Sequence, residues 1–411
     1  NFLYKEKTIM NLEKKYIDLI LNSCMNIEKS KSLFISYDKI NVNFVDRLIE
    51  EALKLGFNDI KKDEVDINLT VNKLLNLSDD EILNDPYFDK SIWNEYALKG
   101  SNFLMLETEF PHFMDNVDSN KVSLYKKRCM ETRKIFREKE TSNEIPWCIA
   151  ALPNKYWAED IFESCTDAYD KLMNAIYEVC LVNTDNPIKS WDKYLNFLED
   201  KTQKLNNLEI RELHYTNDLG TDLYIEMPKN HKWMSMADDR KIGMFVNLPS
   251  YEVFSSPSYL KTRGIVYSSK PLMYGGKKIE NFYLKFMDGK VIDFDAKTGK
   301  EVLEEIINTD DNSAYLGEVA LVNYSSPISN TGIVFGTTLL DENASCHLAL
   351  GDGFNLSIPN GESYSDDKLK ELGINKSKTH VDFMIGTSDL KIEAITKLGK
   401  VLIFYNGNFA I

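Results

Sequence analysis

The chain reads as an α/β N-terminal domain followed by a strand-rich α+β domain, and three observations carry that reading. Strand-like and helix-like apolar patterns alternate through the first half, the texture changes near residue 207 to strands and tight turns, and 411 residues exceed one ordinary core. The first strand candidate is 33–37 (LFISY). Phe44, Val45, Leu48, Ile49, Ala52 and Leu53 then recur at helical spacing. Residues 102–106, the charged stretch 118–140 and residues 147–152 repeat the strand, helix, strand order, which implies a mainly parallel sheet with flanking helices. Helical stretches at 166–182 and 189–206 close this part.

The boundary is placed between Asn206 and Leu208, giving domains 10–206 and 207–411. In the second domain Asp288-Gly289 separates two strand candidates as a hairpin turn, and Asn406-Gly407 reads as another. Gly275-Gly276 is read as a turn. Residues 300–308 form the main helical interruption, with Val302, Leu303, Ile306 and Ile307 on one face. Met10 is taken as the natural start, so residues 1–9 are left out of the fold reading.

The formal charge is −15, from 64 acids against 49 bases, which argues against a nucleic-acid or anionic-membrane partner. The basic runs 126–128 and 376–378 read as solvated surface. No segment approaches the roughly 20 apolar residues of a membrane span, and the first residues lack the pattern of a secretory leader. Six cysteines, at 24, 129, 148, 165, 180 and 346, have no paired spacing, as expected for reduced thiols and a cytoplasmic protein.

Residues 380–384 read His-Val-Asp-Phe-Met, an apolar run interrupted by an imidazole and a carboxylate. Strand side chains alternate, so His380 and Asp382 share one face. Glu252, Glu318, Glu342 and His347 also stand among apolar neighbours in this half. Four carboxylates gathered without a cation would repel one another and be forced partly neutral, whereas two divalent ions would cancel them. Mixed carboxylate and imidazole ligation suits Zn²⁺, Mn²⁺ or Co²⁺ better than Ca²⁺, and the lack of a thiolate cluster favours a catalytic site over a structural one. Glu342 and His347, five residues apart, would diverge on a helix and are expected to flank a turn. Glu252 follows Pro249 and is expected on a loop or edge. Taken singly, a buried acid is more often a cap or an ion-pair partner, and a lone His a satisfied core group.

The chain has no His-Glu-x-x-His, no Gly-x-Ser-x-Gly and no Gly-x-x-x-x-Gly-Lys-Ser/Thr motif. Cys346 beside His347 reads as a small packing residue, and 93–96 and Trp147 as core.

Six stretches in the second half resemble the metalloaminopeptidase family typified by aminopeptidases T and S: NLPSYEVFSSP (247–257), KPLMYGG (270–276), YLGEVAL (315–321), SPISN (326–330), LLDENASCHLALG (339–351) and HVDFMIG (380–386). The resemblance extends to GTDL at 220–223 and EIPWCIA at 144–150, so it spans most of the chain. It implies a dimetal exopeptidase that removes amino-terminal residues from short peptides and forms a homodimer through its second, catalytic domain. By matched motif the metal ligands fall on Glu252, Glu318, Glu342, His347, His380 and Asp382. One departure stands out. The family typically has a tyrosine seven residues after its first histidine ligand, and this chain has Phe354. A phenyl ring cannot donate a hydrogen bond to a developing oxyanion; Tyr274 and Tyr324 are candidate substitutes.

The expected reaction is peptide hydrolysis by a metal-activated water, with Glu318 first and Glu342 second as the bridging or proton-accepting carboxylate. The rival expectations are a weak or inactive peptide-binding homodimer, marked by Phe354, and a dimetal phosphoesterase, for which Arg263 and Lys270 are the nearby cations.

Overall fold

The computed structural model describes residues 2–24, 31–163, 165–241, 245–275 and 277–411, with side chains from residue 10 onward. The reading of Gly276 as part of a turn lies outside the described residues. The chain divides into two compact units, Asn1–Trp191 with Asp239–Leu248, and Asp192–Asp238 with Pro249–Ile411. The change of unit therefore falls within the helix Pro187–Asn207, earlier than the change of texture near residue 207, and the chain returns once to the first unit.

The first unit holds a five-stranded sheet of β1 (Leu33–Asp38), β2 (Ile60–Val65), β3 (Asn102–Glu107), β4 (Trp147–Ala151) and the two-residue strand Asn247–Leu248. Their order is β2-β1-β3-β4 followed by Asn247–Leu248, and every pairing is parallel. This is a doubly wound arrangement whose direction of winding reverses between β1 and β3. The aromatic core holds Phe34, Trp93, Phe103 and Phe136, with Tyr96 and Trp147 packed against it, so the reading of the aromatic residues at 93, 96 and 147 as core holds. Three details differ. Leu53 is exposed although it falls in the periodic set of the helix Val42–Lys54. The charged stretch is two helices, Ser119–Thr132 and Lys134–Thr141, broken at Arg133. β2 (IKKDEV) is an edge strand, where charges discourage further pairing and also hide the strand pattern.

The second unit holds a nine-stranded sheet and a separate five-stranded sheet, both antiparallel. The hairpin Lys277–Met287/Lys290–Thr298 turns at Asp288 and Gly289, both with positive φ. The helix Lys300–Ile307 buries Val302, Leu303, Ile306 and Ile307. The five-stranded sheet carries the chemistry: β5 (Val253–Ser255), β6 (Leu316–Leu321), β7 (His347–Gly351) and β8 (His380–Met384) lie in the order β8-β7-β6-β5, with Met234–Ser235 beyond β5. Every residue of β6 and β7 is buried. Among the described residues no helix is long and apolar enough to cross a membrane.

Candidate metal centre

The register of three strands builds the floor of the site. Glu318 of β6 pairs with Ala349 of β7, and Ala349 pairs with Asp382 of β8. The two carboxylates thus lie in one row with a methyl group between them, which leaves room above the sheet. In the adjacent rows Ala320 pairs with His347, and Gly351 with His380. Small residues on the middle strand let the long polar ones converge. Gly317 begins a bulge that shifts the register next to Glu318; a Cβ there would lie 2.1 Å from the Asp352 carbonyl oxygen, so only glycine fits.

The other two residues arrive from turns. Glu252 precedes β5 on a non-strand segment, and Glu342 opens a short 3-10 turn after the helix Thr338–Asp341. His347 then opens β7, so Glu342 and His347 do flank a turn. One buried side chain ties the two turns together: Asn343 Oδ1 accepts the Tyr251 N–H at 2.7 Å while its Nδ2 donates to Glu342 Oε1 at 3.3 Å.

One donor atom from each of Glu252, Glu318 and His347 lies within 4.8 Å of the others, and the same holds for Glu318, His380 and Asp382. Glu318 belongs to both groups. His347 Nε2 is 3.1 Å from Glu252 Oε2, and His380 Nε2 is 3.1 Å from Glu318 Oε2 and 3.2 Å from Asp382 Oδ1. Each imidazole turns its other nitrogen to a backbone carbonyl, Asp352 O at 2.8 Å for His380 and Ser345 O at 3.3 Å for His347. A carbonyl only accepts, so Nδ1 carries a proton in both rings and Nε2 faces the carboxylates.

That arrangement needs a positive charge between imidazole and carboxylate. Without metal, protons supply it. Burial alone would lower the His347 pKa, but the carboxylates of Glu252, Glu318 and Asp382 outweigh it and raise it to about 10. His380 is raised in the same way, chiefly by Asp382 against burial. Burial raises Glu342 well above the carboxylate range, with the charges of Asp382 and Glu252 adding to it, and raises Glu318 against the pull of His380. Asp382 goes the other way: burial would raise it, but His380 holds it below the usual range. Asp382 Oδ1 is nevertheless buried without a hydrogen bond. A buried carboxylate oxygen that meets only the His380 ring nitrogen, without hydrogen-bond geometry, two oriented imidazoles and carboxyl groups driven towards neutrality fit divalent ions bound by mixed oxygen and nitrogen ligands.

Phe354 lies at this centre, its ring 5.4 Å from that of His380 and 4.9 Å from that of Phe254. Tyr324 donates its N–H to Gly407 O at the turn Asn406-Gly407. Cys346 is fully buried, its thiol directed at Val322 O and raised to about 12 by burial, consistent with packing. Arg263 pairs with Glu212 and lies over Tyr224. The reading of Lys376 as solvated surface is corrected: its ammonium binds Asp352 at 2.9 Å and Asn355 Oδ1 at 3.0 Å, anchoring the loop that carries Phe354. Asn343, Asp352 and Ala349 lie in or beside stretches quoted from the sequence, but nothing in residue type alone marks an amide, a backbone carbonyl and a methyl group as parts of a site.

A mixed α/β chain with buried carboxylates and imidazoles arranged for divalent ions is a metalloenzyme by fold and site. The chain belongs to the thermophilic metalloprotease (M29) family, which it matches over residues 10–409. It is 34% identical to aminopeptidase AmpS of Bacillus subtilis (strain 168), over 96% of this chain and 97% of the relative, and 33% identical to aminopeptidase PepS of Streptococcus thermophilus, over 98% of each. Its structure is similar to that of wild-type AmpT from Thermus thermophilus, with a TM-score of 0.89 and 28% identity over 98% of this chain and 99% of that one.

Proposed function

We propose that the protein is a dimetal aminopeptidase that releases residues from the free amino end of short peptides, with Glu252, Glu318, Glu342, His347, His380 and Asp382 as ligands of two ions. The observation that carries this is the sharing of Glu318 between two groups of donors within 4.8 Å. Divalent ions there, Zn²⁺, Mn²⁺ or Co²⁺, would supply an activated water and polarise the scissile carbonyl. Glu318, common to both donor groups, would be the carboxylate shared by the two ions. Glu342 stands outside both donor groups but borders, with Asp382, a small cleft lined by Thr337, Thr338 and Met384, and its raised pKa suits a carboxylate that takes a proton and returns it to the leaving amine. Ser345 O and Asp352 O hold the imidazoles in the tautomer that ligation needs. The acidic wall accounts for selection of a free, cationic amino terminus.

The test is mass-spectrometric digestion of short peptides, free and amino-terminally acetylated, by protein stripped of metal and reloaded with each ion. Metal-dependent stepwise loss from free ends alone is expected; equal cleavage of blocked peptides would sink the exopeptidase reading. The same reading makes the protein a cytoplasmic homodimer, checked by light scattering and fractionation.

Phe354 beside His380 favours a second reading, a weak or inactive peptide-binding homodimer. Phe354→Tyr separates the two: a gain of roughly a hundredfold in kcat would show that the native chain lacks a donor for the oxyanion. An unchanged kcat in an active protein would remove that reading.

A further inference from the structure

The first unit has a cleft of about 640 Å³ at the carboxyl ends of its parallel strands. It opens where the winding of the sheet reverses, between the segments that follow β1 and β3, which is where doubly wound sheets receive ligands. Its walls come from Asp38 to Asn41 after β1, Asp66 to Asn68 after β2, Phe110 after β3 and Pro153 to Tyr156 after β4. None of these residues belongs to the metal centre.

The polar groups sort into committed and uncommitted ones. Asp38 accepts the Ile40 and Ile67 N–H groups, one on each carboxylate oxygen, at 2.9 and 3.0 Å. Asp66 caps the helix Ile67–Asn76 and pairs with Lys39 at 3.2 Å. Asn154 caps the helix Lys155–Ile161 through Oδ1 and donates to Thr108 and Glu109 through Nδ2. Asn41 is different. It is 7% exposed, it precedes the helix Val42–Lys54 without capping it, and its Nδ2 has no hydrogen-bond partner. A buried amide donor without an acceptor is costly, and Asn41 lines the cleft, where a ligand oxygen would satisfy it. Lys155 is exposed, and its ammonium lies over the Tyr156 ring, 4.7 Å from the centroid. The acids are thus already served by internal donors, while the Asn41 amide is unpaired and the Lys155 ammonium meets only the Tyr156 ring, in a cleft also lined by Phe110.

We propose that this cleft binds a small molecule that joins an oxyanion to a planar ring, the oxyanion received by Asn41 Nδ2 and Lys155 Nζ and the ring by Phe110 and Tyr156. A phosphate and a carboxylate share the required chemistry. The inference does not depend on the metal centre.

The test is titration of the full chain by calorimetry with adenosine monophosphate, adenosine, inorganic phosphate and indole acetate, in the native sequence, Lys155→Glu, Asn41→Leu and His380→Ala. Saturable binding of adenosine monophosphate or indole acetate at millimolar concentration or below is expected, and which of the two binds tighter tells phosphate from carboxylate. Adenosine and inorganic phosphate should each bind at least tenfold more weakly than adenosine monophosphate. Lys155→Glu, at an exposed position, should weaken the tighter probe at least tenfold, as should Asn41→Leu where its melting curve shows it folded, and His380→Ala should bind like the native chain. Absence of saturable binding by both ring-bearing anions, affinity unchanged in Lys155→Glu, or loss of binding in His380→Ala would overturn the proposal.

Discussion

The two units both bury strands on both faces, yet they place their polar chemistry differently. In the first, the middles of β1, β3 and β4 are mainly apolar and the polar groups lining the cleft stand at or just beyond the strand ends, at Asp38, Asn41, Asp66 and Asn154. In the second, Glu318, His347 and Asp382 sit on the faces of buried strands. A carboxylate inside a buried strand is expensive unless something compensates it, whereas one at a strand end is served by the backbone N–H groups of the next helix. The difference is that the second unit's groups need a cation from outside and the first unit's acids do not.

The strongest test of that contrast is Glu318→Gln. The amide keeps the shape and removes the charge shared by both donor groups, so kcat/KM for a free dipeptide should fall by roughly 10³-fold or more, with metal content falling in the same preparation. Full metal content measured by plasma mass spectrometry would show that Glu318 is not a shared ligand.

Ala349→Leu tests the floor rather than the ligands. The new side chain would occupy the space between Glu318 and Asp382, costing about 1–3 kcal/mol in overpacking. Activity should drop about a hundredfold or more through lost metal, because displaced ligands no longer converge. Ala349→Gly, which leaves the space open, should retain metal.

How much of this was legible in the sequence follows the same divide. His380 and Asp382 were visible because they interrupt an apolar run with the period of a strand. Glu252, Glu318 and Glu342 needed the family resemblance to be picked out securely from 64 acids. β2 was hidden by its edge charges. Asn247–Leu248 was hidden by its shortness, and with it the return of the chain to the first unit. Asn41 gave no signal at all, since an asparagine before a helix ordinarily reads as a cap and only the coordinates show that it caps nothing.

Asn343→Ala probes the tie between the two turns. With the amide gone, the Tyr251 N–H and Glu342 Oε1 lose their common partner, and metal affinity should weaken by about 10- to 100-fold, read by competition with a chelating dye. Asn343→Asp, which keeps the acceptor for Tyr251 but repels Glu342, should be no better than alanine. Native affinity in both variants would mean that the strands alone set the positions of Glu252 and Glu342.

The smallest effect concerns protons. Before metal enters, His347, its pKa raised to about 10, holds a proton through neutral pH, and His380 and Glu342 are shifted towards their protonated forms, because the neighbouring carboxylates outweigh burial for the imidazoles and burial dominates for Glu342. Ligation requires those protons to leave, so uptake must release them and acid must oppose it. Asp382, held ionised by His380, contributes no such term near neutrality. The apparent dissociation constant should therefore rise at least about tenfold per unit as pH falls from about 8 to about 6, one factor of ten for each proton displaced. Calorimetry of metal uptake in two buffers of different ionisation enthalpy measures the protons directly. A release of less than one proton per chain would mean that the imidazoles and their carboxylate neighbours are already deprotonated in the metal-free protein.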